Sequence, residues 1–113
     1  MELTRDAILK KSADLPRELV EVPEWGGSVW VRTMTGAERG LYDLRMFEAP
    51  DTRNFRALIA ALCVCDETGQ RTFSEADVDM IAVLASTALD RVYAVAARLN
   101  KLRAEDVKEL EKN

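Results

Sequence analysis

Histidine is absent from this sequence of 113 residues, which removes the commonest general base and most zinc sites. Only two cysteines are present, Cys63 and Cys65, too few to build a metal site of four soft ligands. They lie two residues apart in an apolar run, and neither a helix nor a strand gives this spacing a favourable bridging geometry. We interpret both as reduced core residues of a cytoplasmic protein and expect no metal and no cofactor.

A strong charge of one sign and a long apolar run are also lacking. The chain has 16 basic and 20 acidic residues and a net charge of -4, so no basic stripe follows a phosphate backbone. The longest uncharged apolar run, residues 57–65, is well short of the roughly 20 residues that cross a bilayer. The N-terminal residues do not follow the basic-then-apolar order of a signal peptide. We expect a soluble protein that is not exported, with neither nucleic acid nor a membrane as its partner.

The carboxylates do not suggest catalysis. Asp77 and Asp79 lie where a helix is predicted to begin, a position at which negative charge stabilises the helix. Glu105 and Asp106 lie in the charged C-terminal segment. Residues 66–70 have the polar composition of either a calcium-binding loop or a turn. The alternating oxygen ligands of a calcium-binding loop do not line up there, which favours a turn. We therefore expect a protein that is not an enzyme.

Two β-type runs near the N-terminus predict a hairpin at about residues 17–34. β-branched side chains at every second position share one face of each run; they are Val20, Val22, Val29, Val31 and Thr33. Gly26 and Gly27 are expected to supply the positive φ angles of the connecting loop. An isolated hairpin is marginally stable in water, so helices or further strands must cover its valine face.

The remaining pattern predicts helices. Residues 4–13 are predicted to form a short first helix that Thr4 caps. Thr35 and Glu38 form a capping box before a second helix, which ends near residues 49–50. Asp51 or Thr52 caps a third. Its apolar residues follow the spacing of a single buried face, namely Phe55, Leu58, Ile59, Leu62 and Cys63. Ser74 caps a fourth helix, and a break near residues 86–87 separates it from a fifth.

These elements predict a single α+β domain, mainly α, with four to five helices over residues 1–102. From residue 103 the chain is almost entirely charged, which predicts a flexible C-terminal tail over residues 103–113. Met46 and Phe47 are expected in the core.

The candidate protein-binding residues are Trp25, Trp30, Arg32 and Met34. Trp25 lies in the hairpin loop, and the other three share the strand face opposite the valines. An aromatic residue, an arginine and a methionine together are typical of interfaces. The alternative is that the N-terminal helix or the C-terminal tail folds over the tryptophans.

Taken in order, three motifs resemble the tail assembly chaperones of long-tailed, siphovirus-type bacteriophages and prophages. They are EVPEWGG at residues 21–27, TGAER at residues 35–39, and a D-x-x-G-x-R-x-F-S-x-x-D-V junction at residues 66–78. The resemblance covers about residues 2–102. It carries no residue-level binding motif, because the shared pattern is one of fold.

The resemblance implies a protein that binds the long, helical, aggregation-prone tape-measure protein and keeps it soluble before tail-tube subunits assemble around it. It also implies the tail-tube protein as a further partner, the host cytoplasm as the location and absence from the mature virion. A homo-oligomer is compatible with this function. Two alternatives remain open: a virion component such as a head-tail connector or tail completion protein, and a small DNA-acting regulator, against which the charge balance argues.

Overall fold

The fold combines five α-helices with a three-stranded antiparallel sheet in the described part of the chain. The computed structural model describes residues 1–11, 14–48 and 54–102. The helices are α1 (Arg5–Lys11), α2 (Gly36–Glu48), α3 (Phe55–Cys63), α4 (Val78–Ala82) and α5 (Ser86–Leu99). The strands are β1 (Arg17–Val22), β2 (Gly27–Arg32) and β3 (Val64–Cys65). The predicted α+β class, mainly α, is confirmed.

The predicted hairpin is present and is formed by β1 and β2. The two strands pair in one unbroken register, from Arg17 opposite Arg32 to Val22 opposite Gly27. A 3₁₀ turn, Pro23–Trp25, reverses the chain, and Gly26 follows it with φ of 75°. The expectation that Gly27 also has a positive φ is wrong. Once the 3₁₀ turn has reversed the chain, a single left-handed residue completes the loop.

A third strand, β3, extends the sheet and was not predicted. It follows α3 directly and pairs with β2, placing Val64 opposite Val31 and Cys65 opposite Trp30. On the valine face of the hairpin, Val20, Val22 and Val31 are buried and Val29 is half-buried. Helix α5 packs against both β1 and β2. The hairpin is thus stabilised in both of the expected ways, by another strand and by a helix.

Helix α3 is the centre of the core. It contacts α5, α4 and α2, and eight of its nine residues are buried. The five apolar residues predicted to form one buried face are all buried, and alanines fill the other three buried positions. Small side chains let neighbouring elements approach α3 from every side, so its burial extends beyond a single face.

Helix α2 begins at the predicted capping box. The Thr35 N–H donates to Glu38 Oε1 at 2.9 Å, and the Glu38 N–H donates to Thr35 Oγ1 at 3.2 Å. Met46 is half-buried against the core, as expected. Phe47, however, is 87% exposed, so its placement in the core is wrong. On α2 it lies on the side opposite Tyr42, the helix's one fully buried residue.

The C-terminal half follows the predicted order with one shift. Ser74 begins the fourth helical segment, and its N–H donates to the Asp77 carboxylate at 2.9 Å. Helix α4 ends at Ala82 and α5 begins at Ser86, so the break lies at residues 83–85, slightly before the predicted position. Free thiols are found at Cys63 and Cys65, and both side chains are buried.

Some predictions fall outside the described residues. They are the end of the first helix at residues 12–13, the helix end at residues 49–50, the caps Asp51 and Thr52, and the charged tail at residues 103–113. The division of the chain into residues 1–102 and 103–113 therefore stays a prediction.

Candidate functional site

The four candidate binding residues occupy two different environments. Trp25 and Trp30 are half-buried, whereas Arg32 and Met34 are buried, with 3% and 6% of their surfaces exposed. The expectation of one shared exposed surface is therefore wrong for Arg32 and Met34. Helix α1, one of the two elements proposed as a cover for the tryptophans, buries none of its residues.

Arg32 is buried because the groups that pair with its guanidinium lie inside the fold. Its Nη2 donates to Glu38 Oε2 at 2.7 Å and to the Leu62 carbonyl oxygen at 3.2 Å. Arg71 contacts the same end of the helix, where its Nε donates to the Ala61 carbonyl oxygen at 3.0 Å. Two guanidinium groups thus satisfy carbonyls at the C-terminal end of α3, where the helix dipole favours positive charge.

Glu38 links the buried Arg32 to the start of α2. Burial opposes its ionisation, but the hydrogen bonds from the Thr35 backbone and the Arg32 side chain outweigh that effect and lower the pKa of Glu38. Its carboxylate is therefore ionised at neutral pH and balances Arg32. Arg71 Nη1 lies 3.6 Å from the same carboxylate. We assign this cluster a structural role, since it joins three elements and lies inside the domain.

Met34 is held by the end of α5. Its N–H donates to Asn100 Oδ1 at 2.8 Å, while Asn100 Nδ2 donates to the Ala96 carbonyl oxygen at 2.9 Å. Arg39 Nη1 donates to the Asn100 carbonyl oxygen at 3.0 Å. Asn100 thus fastens the connection between β2 and α2 against α5, which leaves Met34 in the core.

An exposed apolar stripe on α2 is a surface that the sequence reasoning missed. It consists of Ala37, Gly40, Leu44 and Phe47, which are all exposed. Their alternating spacing of three and four residues puts them on one side of the helix, as at the a and d positions of a coiled coil. The spacing is visible in the sequence, but the sequence analysis places Phe47 in the core. We call this set the α2 stripe.

Apolar side chains are also exposed at the loop between α4 and α5. Val83 and Leu84 are exposed in the loop itself, Val83 by 84%, and Met80 is exposed on the preceding helix α4. Beside this loop is a cleft of about 120 Å³, lined in part by Ala57, Leu84 and Leu89. The cleft is smaller than the roughly 300–1,000 Å³ of typical small-molecule sites.

The described residues contain neither a metal-binding cluster nor a membrane-spanning helix. Within residues 1–11, 14–48 and 54–102, no group of three or more cysteine, aspartate or glutamate side chains could hold a metal ion. No helix in the same residues has the length and apolar character to cross a bilayer.

Gly40 gives a first test of the α2 stripe. A Cβ atom added at this position meets only open space, and alanine favours a helix interior by about 1 kcal/mol over glycine. We expect Gly40→Ala to raise the free energy of unfolding by about 0.5–1 kcal/mol in urea denaturation. A lower free energy of unfolding would contradict the exposed position of Gly40.

Trp30 gives a second test. Because it is half-buried beside Leu19 and Cys65 in the sheet register, we expect Trp30→Ala to lower the free energy of unfolding by about 1–2 kcal/mol and leave the domain folded. Circular dichroism and urea denaturation measure both effects. Complete unfolding would show that Trp30 supports the core, and its role as a partner contact would then be abandoned.

Comparison with solved structures gave a match of fold over most of this chain. No protein-family model and no curated protein sequence matches this chain. Among solved structures, the fold is similar to the "Structure of bacteriophage HK97 tail assembly chaperone", with a TM-score of 0.63 and 20% sequence identity. The match covers 81% of this chain and 96% of that chain. It confirms, at the level of the fold, the resemblance predicted from the sequence.

Proposed function

We propose that this chain is a phage tail assembly chaperone that binds the tape-measure protein and keeps it soluble during tail assembly. The observation that carries the proposal is the match of fold over most of both chains. A role as a binding protein, and not as an enzyme, agrees with a sequence that has no histidine. The tail-tube protein is a second proposed partner.

The α2 stripe is the surface that fits a long helical partner best. Leu44 is 52% exposed and Phe47 is 87% exposed, and both project from a helix whose other side is fixed in the core. An apolar stripe at heptad spacing packs against the apolar face of another helix. Gly40, which has no side chain, would allow that helix to approach closely.

Trp25 and Trp30 remain proposed as secondary contacts. Each side chain is half-buried and therefore still presents aromatic surface to solvent. Aromatic residues contribute a large share of binding energy at protein interfaces. Arg32 and Met34 are not proposed as direct contacts, because both are buried.

Weak single contacts are sufficient for this function. A tape-measure protein is long, so many copies of a small chaperone bound along it would protect its apolar surface together. Each additional engaged site on one partner raises the overall avidity without any new type of contact. A single exposed helix stripe per copy is consistent with such binding.

Co-purification tests the binding step. The tagged chain is co-expressed with the tape-measure protein from the same genome, and the complex is isolated by affinity chromatography. We expect the long protein to co-elute with several copies of this chain per molecule. Failure to co-elute, with this chain well folded, would contradict the proposal.

Location gives an independent test. We propose that the chain acts in the host cytoplasm and is absent from the mature virion. Mass spectrometry of purified virions should then detect tube and tape-measure peptides without peptides of this chain. A defined copy number in the particle would instead support a virion component such as a head-tail connector or tail completion protein.

A further inference from the structure

One edge of the sheet has unused hydrogen-bonding groups. The strand order is β1-β2-β3, so β1 lies at an edge, whereas the far side of β3 is bridged by Arg71. The Thr33 N–H donates to the Pro16 carbonyl at 2.9 Å in the same register as the hairpin. Successive residue pairs of an antiparallel ladder alternate between hydrogen-bonded and non-hydrogen-bonded, so the main-chain groups of Glu18 and Val20 point toward β2.

The alternate residues of β1 therefore direct their main-chain groups outward. Arg17, Leu19 and Glu21 have the N–H and C=O groups that point away from β2. Among the described residues, no hydrogen bond joins these main-chain groups to a partner. An unpaired strand edge of this kind is a template for adding another strand.

The side chains next to this edge are apolar at the centre and charged on both sides. Leu19 is 53% exposed and lies beside Trp30, which in turn lies beside Cys65. These three residues form a row across the face opposite the valines, and the row ends at the open edge. Arg17 and Glu21 flank Leu19 on the same face.

We propose that β1 pairs with β1 of a second copy, in an antiparallel register centred on Leu19, and forms a continuous six-stranded sheet. In this register Leu19 lies opposite Leu19 of the second copy, and Arg17 lies opposite Glu21. The segment is thus self-complementary in both shape and charge, as a two-fold interface requires. Unlike-charge and apolar cross-strand pairs both stabilise antiparallel sheets.

The proposed register also satisfies the backbone. The residues whose main-chain groups point outward are the same ones that the register places opposite each other. Glu21 is exposed and has no described hydrogen bond or ion pair, so it is available to a second copy. Arg17 donates from Nε to the Glu67 carbonyl and from Nη1 to the Leu15 carbonyl. Its Nη2 remains for Glu21 of the other copy.

Sedimentation equilibrium tests the interface through its charges. Because the interface is small, we expect a dimer with a dissociation constant of the order of 10 µM. Glu21→Arg places an arginine opposite Arg17 at both symmetry-related positions of the dimer. The repulsion should raise the dissociation constant by about tenfold or more. The double variant Arg17→Glu with Glu21→Arg restores opposite charges and should return the dissociation constant to within about threefold of the wild-type value. A monomeric wild-type protein at 1 mM, taken as roughly 100 times that constant, would overturn the proposal.

Cross-linking tests the register separately, so the proposal does not depend on the folding of the charge variants. Leu19→Cys should give a covalent dimer with a thiol cross-linker of about 8 Å, since facing side chains lie about 5 Å apart. Ser28→Cys is the control, because the same register separates its two copies by about 20 Å. Burial raises the pKa of the native Cys63 thiol to about 12, which keeps it unreactive. Equal cross-linking of both variants would overturn the register.

This interface is independent of the proposed chaperone function. The β1 edge and the α2 stripe share no residues, so variants of one leave the other unchanged. Dimerisation without capture of the tape-measure protein would contradict only the proposed function. Capture by a protein that stays monomeric would contradict only the strand pairing.

Discussion

Glu38→Ala should lower the free energy of unfolding by about 3 kcal/mol or more, measured by urea denaturation at pH 7. The substitution leaves the Arg32 guanidinium, whose side chain is 4% exposed, without its carboxylate. Removing one partner of a buried ion pair typically costs about 3–5 kcal/mol, because the remaining charge stays desolvated. The same change removes the capping-box acceptor of the Thr35 N–H.

Asp43→Ala is the matched control for this effect. Asp43 also lies on α2 and also accepts from an arginine, Arg39, at 3.1 Å, but its side chain is 60% exposed. Exposed pairs of this kind contribute little, so we expect a loss of about 0.5 kcal/mol or less. Equal losses for the two variants would show that burial of the Arg32–Glu38 pair has no special importance.

Phe47→Ser should reduce capture of the tape-measure protein by about tenfold or more without destabilising the domain. Phe47 is 87% exposed, so its replacement changes little packing in the free protein. Substitutions at exposed positions usually alter the free energy of unfolding by no more than about 0.5 kcal/mol. At the centre of an interface, however, loss of one aromatic anchor commonly costs about 2 kcal/mol of binding free energy. Quantitative co-purification measures the loss.

Val83→Ser provides the control at another exposed apolar position. Val83 is 84% exposed, close to the value for Phe47, but it lies in the loop between α4 and α5. Its replacement should leave capture within about twofold of wild type if α2 carries the contact. Should Val83→Ser reduce capture and Phe47→Ser leave it unchanged, the binding surface would lie at that loop instead.

Local signals in the sequence predicted much of the fold. The alternating valines gave the hairpin to within about two residues, since period-two burial depends on the strand itself. Thr35 and Glu38 gave the start of α2, because a capping box depends only on neighbouring residues. The motif order further predicted a fold similar to that of a tail assembly chaperone.

Tertiary contacts explain where the sequence predictions were wrong. Strand β3 is a two-residue continuation of an apolar run, and periodicity cannot separate such a strand from the preceding helix. Arg32 appeared exposed because its partners, Glu38 and the carbonyl of Leu62, meet it only in the folded domain. Phe47 was expected in the core because hydrophobicity alone does not distinguish a core residue from an exposed apolar one.

The most direct test of the central claim is the solubility of the tape-measure protein with and without this chain. Both are co-expressed at matched levels, and the soluble fraction of the tape-measure protein is quantified after centrifugation. Our account predicts a largely soluble tape-measure protein with the wild-type chain, and an insoluble one when the chain is absent or carries Phe47→Ser. A tape-measure protein that stays insoluble beside a well-folded wild-type chain, or that is equally soluble without it, would contradict the account.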